Sequence, residues 1–319
     1  MSAAGQIPDS RFVFIVGVAR TGSKIYMTVL NRLSEVDIVN ELHYLAPRFI
    51  RRDFVTTVQR RPGTRLEASS PGALVNEMFS APLNGTFWQP RSSGSLEQRI
   101  TDLNRDTLVR RLSTGATKPA RVMRVLLEEH ARVAGKSRPA DKFPVDISRV
   151  PTLLEWFPGA SVIHLVRDPR AIYSSMIARD VRVCRGNWRQ QAAARSGRLA
   201  YLVHQYRLAA RVHRRNAANP AYYLSRFEDL IARPCESVPL LCDFLGIEVM
   251  ADMYQPPGKD SSFRKDESTG FDVGAVDTWR EYLDRPSRRL IETLLSREMA
   301  IFGYDTFTPR NPRNAIDGI

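Results

Sequence analysis

Residues 12–24 read FVFIVGVARTGSK. The run Phe12–Val18 is apolar around one glycine, the pattern of a strand covered on both faces of a parallel sheet. Ile25, Val29, Leu30 and Leu33 then recur at helical spacing. Between strand and helix, Gly17 and Gly22 bracket four residues. A turn of this kind presents free backbone N–H groups and the positive end of a helix dipole, an environment that favours phosphate. With 18 glycines in 319 residues, the Gly-x4-Gly spacing arises roughly once by chance, so the strand–loop–helix setting carries the reading. An ordinary βα turn is the competing explanation. In an ATP-binding P-loop a lysine reaches the β/γ-phosphates and the next hydroxyl holds Mg²⁺. Here Ser23 precedes Lys24, and Ile25 stands where the metal-holding hydroxyl would be. The loop suits a phosphate, but neither an ATP γ-phosphate nor magnesium.

Further along, SVIHLV (161–166) is a second buried-strand candidate, followed by Arg167 and then Asp168-Pro169, a capping residue and a proline at the first helical position. Arg167 offers a planar fork for a phosphate, and Ser175 or Ser174 adds a hydroxyl one to two turns into the helix. Taken alone, Arg167-Asp168 reads equally as a helix-start ion pair. Val36–Val39 is a short strand candidate ending at Asn40-Glu41. PTLLEWFPGA (151–160) is a helix stopped by Pro158-Gly159, Tyr222–Phe227 a third strand after Phe12–Val18 and SVIHLV, and DFLGI the end of a helix at Gly246. RRPGTRLEASSPG (60–72) and AGKSRPADKFP (134–144) read as polar breaks around mainly helical material that includes VMRVLLEEHARV (122–133). Residues 256–270, PPGKDSSFRKDESTG, read as a polar lid. Strands alternating with helices predict an α/β fold with a central parallel sheet and helices on both faces.

The two phosphate motifs, in this order and each at a strand-to-helix junction, resemble those of sulfotransferases that use 3′-phosphoadenosine 5′-phosphosulfate, and the chain resembles the bacterial and tyrosylprotein-sulfotransferase branch of that family. Arg20-Thr21-Gly22-Ser23 resembles the phosphosulfate loop. A basic residue at Lys24 is a feature shared with heparan-type members, whereas other members often carry a threonine there. Arg167 and Ser175 resemble the 3′-phosphate motif. The resemblance covers roughly residues 12–45 and 140–304. It implies a P-loop-like three-layer fold in a single domain spanning 1–319, with a largely helical insertion at about 46–140 as the acceptor side. It also implies donor binding by Arg20, Thr21, Gly22, Ser23, Lys24, Ile25, Arg167 and Ser175, with Ser174 as the alternative hydroxyl. Phe227, in SRFEDL, stands where the family has a tyrosine near adenine. Trp279, in VDTWREYL, belongs to a segment similar to the one that closes over the 3′-phosphate end.

Sulfuryl transfer moves SO₃ in line from the donor phosphate to an acceptor, so cations must stabilise the leaving phosphate and a base must take the acceptor's proton. Arg20 and Lys142 are the candidates for the first task, the lysine through its resemblance to one that reaches the reacting group in related enzymes. Glu41 is the favoured base, since its distance from Arg20 matches that of the glutamate in tyrosylprotein sulfotransferases. His43 is the alternative. His164 lies within an apolar strand and reads as structural, and His130, His204 and His213 fall on helices. No metal is expected.

Forty-seven Lys+Arg against thirty-four Asp+Glu leave a net charge of +13, which favours anionic partners or simply a solubilising surface. A P-loop kinase and a basic nucleic-acid-binding protein, the latter from the arginines of 179–190 and 211–216, are the alternative functions. The expected partner is a sulfate acceptor (the hydroxyl of a small metabolite, a glycan or a lipid-linked compound), with no nucleic acid. No apolar stretch approaches the ~20 residues of a membrane span. The N-terminal residues lack a secretory pattern, and the three cysteines (Cys184, Cys235 and Cys242) form no CxxC pair, so a cytoplasmic location is expected.

Overall fold

The computed structural model describes residues 7–40, 42, 44–45, 70–80, 103–183, 188–255 and 270–306. Among them are β1 (Val13–Gly17), β2 (Val36–Asn40), β3 (Arg138–Lys142), β4 (Ser161–Val166) and β5 (Tyr222–Arg226). They form one sheet in the order β2-β3-β1-β4-β5, with every neighbouring pair parallel. The helices in chain order are α1 (Ser23–Asn31), α2 (Pro71–Ser80), α3 (Arg105–Ser113), α4 (Pro119–Val133), α5 (Val150–Trp156) and α6 (Pro169–Val183). Then come α7 (Trp188–Asn216), α8 (Phe227–Ala232), α9 (Pro234–Leu245), α10 (Gly274–Asp277), α11 (Trp279–Tyr282) and α12 (Arg285–Ile301).

Alternation along β1 builds two cores. Phe12, Phe14 and Val16 face a cluster with Leu126 of α4, Ile172 of α6, Tyr206 of α7 and Leu295 of α12. Val13 and Ile15 face the other side, against Val29 and Leu30 of α1 and Leu241 and Leu245 of α9. Both faces are covered, so the strands read as unbroken apolar runs. Each such side chain contributes about 1.5–3 kcal/mol on burial. The result is the expected α/β sheet with helices on both faces.

Connectivity fixes where a ligand can bind. The chain leaves β1 toward β2 on one side of the sheet and leaves β4 toward β5 on the other. Ligands in open parallel sheets bind at the carboxyl ends of such diverging neighbours. The loop after β1 and the turn after β4 therefore border one crevice. Gly17 serves this junction by close approach: a Cβ there would lie 2.4 Å from the Leu165 carbonyl oxygen of β4.

Two expectations need correcting. The stretch 134–144 is not simply a polar break, because Arg138–Lys142 is a fully buried strand inserted between β2 and β1. Its sequence, RPADK, carries almost no apolar signal. It is buried because its polar groups find distant partners: Arg138 Nη1 donates to the Leu245 carbonyl (2.6 Å), and Asp141 Oδ1 accepts from the Leu42 N–H (3.3 Å). Pro139 lies outside the β1 ladder, whose pairing begins at Ala140. The second correction is smaller. The strand expected over 222–227 stops at Arg226, and Phe227 opens α8, with Glu228 and Asp229 in its first turn. The lid expected at 256–270 lies outside the described residues apart from Gly270.

Candidate active site

The loop after β1 closes on itself before α1 begins. The Thr21 hydroxyl and N–H both point to the Val18 carbonyl (2.9 and 3.3 Å), and Thr21 is fully buried. Arg20 takes a left-handed φ of 75°, uncommon for a residue with a Cβ. Gly22, at φ 83°, is the N-cap of α1, and no side chain caps that helix. The N–H groups of Gly22, Ser23 and Lys24 thus have no carbonyl within the helix to bond, as anion binding requires, whereas the Ile25 N–H already donates to the Gly22 carbonyl (2.9 Å). Space also demands glycine here, because a Cβ on Gly22 would fall 2.3 Å from the Phe227 ring. Ser23 is buried in this first turn, Ile25 is half-buried and Lys24 is exposed.

The turn after β4 is built as the sequence foretold. Asp168 Oδ1 accepts from the Arg170 N–H (2.8 Å), and Pro169 opens α6. One and a half turns later Ser175 is buried beside the loop, where its hydroxyl accepts from Arg20 Nε at 2.9 Å. Arg167 reaches the same place. Its Nη1 donates to the Arg20 carbonyl (3.3 Å), its Nη2 to the Ala275 carbonyl of α10 (3.0 Å), and its guanidinium lies 4.1 Å over the Phe227 ring. The remaining Nε is buried without a hydrogen-bond partner. Burial pulls the Arg167 guanidinium below its ordinary value, while Glu228 and Asp168 oppose that shift. The two motifs singled out in the sequence therefore touch. Ser174, the alternative hydroxyl, is half-buried on α6.

Other expected residues fall as follows. Lys142 ends β3, almost completely buried, in register with Ile15 of β1 and Asn40 of β2. Glu41 and His43 lie outside the described residues. Leu42 between them is anchored to Asp141, next to Lys142. Trp279 is buried, but it packs beneath the Arg170 guanidinium (4.5 Å) rather than Arg167, and Arg280 and Arg288 also approach its ring. Arg170 in turn bridges Asp168 (2.6 Å) and Glu292 (2.7 Å), tying α6 to α12. His164 is buried inside β4, where burial and nearby His213 push it down to about 3.

One feature escaped the sequence reading. Behind Arg167, the Glu228 carboxylate accepts from the Asp168 N–H (2.9 Å) and from the Tyr304 hydroxyl (2.7 Å). Burial raises its pKa above the usual carboxylate range. The available signal was the acidic pair after Phe227, which is explained well enough by its place at a helix start.

A family model, described as the sulfotransferase family, matches residues 13–252. The chain belongs to that family and is a sulfotransferase, an enzyme of sulfuryl transfer. Among solved structures it is similar to the sulfotransferase domain from the curacin biosynthetic pathway, at 17% identity over 95% of this chain and 100% of that one, with a TM-score of 0.54. It is also similar to the sulfotransferase domain of the Synechococcus PCC 7002 olefin synthase, at 19% identity over 97% and 99%, with a TM-score of 0.54. These two likenesses concern the fold. Comparison with curated proteins gave no match. No helix among the described residues is long and apolar enough to cross a membrane.

Proposed function

We propose that the enzyme takes its sulfuryl group from 3′-phosphoadenosine 5′-phosphosulfate and passes it to an acceptor hydroxyl, releasing 3′,5′-diphosphoadenosine. The observation that carries this reading is the contact between the two anion motifs, Arg20 Nε on Ser175 Oγ with Arg167 on the Arg20 carbonyl. Two guanidiniums, buried hydroxyls and an uncapped helix start converge at the crevice, and Arg167 Nε is still unpartnered. That donor set fits an anion at each end of an adenosine carrier. When bound, the carrier supplies an activated sulfuryl group on a phosphate leaving group.

This chain's residues divide the remaining work. The N–H groups of Gly22–Lys24 and the Ser23 hydroxyl hold the 5′ end; Ile25 follows in the same first turn. Arg167 and Ser175 hold the 3′-phosphate, with Ser174 adjacent. Phe227 forms an apolar floor under Arg167. Arg20 stabilises negative charge on the leaving oxygen and, always protonated, cannot serve as the base. Lys142 joins it from β3. Glu41 takes the acceptor proton, with His43 as the alternative; the Leu42–Asp141 bond is consistent with a base held near Lys142. Trp279 acts at one remove, by seating α11 against Arg170. The acceptor, a hydroxyl of a small metabolite, glycan or lipid-linked compound, lies on the side of residues 46–140 in a single-domain chain, and the cytoplasm is the proposed setting.

Thermal unfolding at matched salt tests the donor. Selective stabilisation by 3′,5′-diphosphoadenosine is expected. Selective stabilisation by ATP–Mg²⁺ or by a short oligonucleotide would overturn the assignment. To test the base, Glu41→Gln should cut turnover with donor affinity nearly kept, and His43→Ala should leave turnover within a few-fold of the parent. The reverse pattern would transfer the role to His43.

A further inference from the structure

The donor site proposed above rests on Arg167, and the structure shows how that residue is held. Its guanidinium hangs from two carbonyls, Arg20 and Ala275, and lies on the Phe227 ring. Its own carbonyl accepts from the Tyr206 hydroxyl of α7 (3.2 Å). The next peptide N–H, that of Asp168, does not bond within α6, which has yet to start; it donates to Glu228 Oε1. The other oxygen of Glu228 takes the Tyr304 hydroxyl. The Asp168 side chain cannot replace Glu228, because it is engaged by Arg170 through three contacts between 2.6 and 3.1 Å. Glu228 is half-buried and Tyr304 buried, and Arg226 lies 4.5 Å over the Tyr304 ring. Tyr304 is itself set by the end of α12, where its N–H donates to the Met299 carbonyl (2.9 Å).

We infer that Glu228 is a positioning residue for donor binding: it fixes the Arg167–Asp168 peptide so that the Arg167 guanidinium meets the 3′-phosphate, and Tyr304 fixes Glu228 in turn. A carboxylate suits this role because it accepts from both donors at once and charge strengthens both bonds. It also places a negative group behind the guanidinium, offsetting part of the cost of burying its charge. The C-terminal end of α12 thereby bears on donor affinity, through a chain of two hydrogen bonds.

This inference rests on the adenosine-carrier reading, and the test separates the two. Binding of 3′,5′-diphosphoadenosine would be measured by calorimetry on the parent, Glu228→Ala, Tyr304→Phe, Arg167→Ala and the Glu228→Ala/Arg167→Ala double variant, together with KM for the donor and kcat. The expected result is a Kd raised about tenfold by Glu228→Ala and about threefold by Tyr304→Phe, with kcat at saturating donor nearly unchanged. Arg167→Ala should cost roughly a hundredfold or more, and Glu228→Ala should add almost nothing in its background. A merely structural role for Glu228 would lower Tm yet leave the donor Kd of the folded protein alone, or would add fully to Arg167→Ala; either outcome overturns the inference. If Glu228→Ala fails to fold, Tyr304→Phe and Glu228→Gln decide it by the same cycle. Failure of the parent to bind 3′,5′-diphosphoadenosine would bring down the donor assignment and this inference together, whereas normal parental binding with unaffected variants removes this inference alone.

Discussion

Strands β1 and β3 lie side by side, each five residues long and each buried at every position, yet their compositions are opposite. VFIVG is held by contact with apolar neighbours on both faces of the sheet. RPADK is held by specific bonds to Leu245, Leu42 and the Glu35 carbonyl, which accepts from the Arg138 N–H at 2.7 Å. Ile15 and Lys142 stand directly opposite each other in the register. Apolar burial is non-directional, so β1 needs only to be covered. Buried charge is tolerated only with partners in place, so β3 depends on groups supplied from far along the chain. Within this strand Arg138 and Asp141 make the bonds that hold it, while Lys142, its last residue, is the one proposed for the chemistry.

Substitutions at the paired positions sharpen this contrast. Ile15→Ala should cost about 3–4 kcal/mol of unfolding free energy, read by denaturant titration, with the donor Kd of the folded fraction unchanged. A smaller loss, or one confined to donor affinity, would mean that β1 is not the purely structural partner. Lys142→Met keeps the length of the side chain and removes the charge. Turnover should fall about a hundredfold, equivalent to about 2.7 kcal/mol of transition-state stabilisation, while Tm stays within a few degrees. A large drop in Tm with normal turnover would make the lysine a structural group after all. The smallest effect near neutral pH belongs to β4, on the other side of β1, where His164 is a titratable group inside an apolar strand. Its folded-state value of about 3 lies below its ordinary 6.5. Stability that is fully present above pH 6.5 is therefore lost as pH falls toward 3, with a loss of about 1 kcal/mol already at pH 6. His164→Phe should flatten the Tm-versus-pH curve over that range; an unchanged slope would show that acid sensitivity arises elsewhere.

The same contrast explains what was legible in the sequence. β1, β2, β4 and most of β5 were readable because apolar runs and turn residues report local structure directly. Pro169 and Gly246 marked helix ends correctly, the latter at φ 61°. β3 was not readable, since nothing in RPADK announces the Leu245 carbonyl or the Leu42 N–H that make its burial possible. Within the candidate site, Arg20, Arg167 and Ser175 were named and prove to be neighbours. Glu228 and Tyr304 were missed because their significance lies in hydrogen bonds between distant segments, which no spacing rule encodes. The Trp279 ring attends Arg170, while the backbone of Ala275, just before VDTWREYL, is what meets Arg167.

The central claim is that the loop at Gly22 and the turn at Arg167 grip opposite ends of one adenosine carrier. A crystal structure with 3′,5′-diphosphoadenosine tests it most directly. The 5′-phosphate is expected against the N–H groups that open α1, and the 3′-phosphate within hydrogen-bonding distance of Arg167 and Ser175. A carrier bound with either phosphate away from these groups, or lodged elsewhere on the protein, would contradict it.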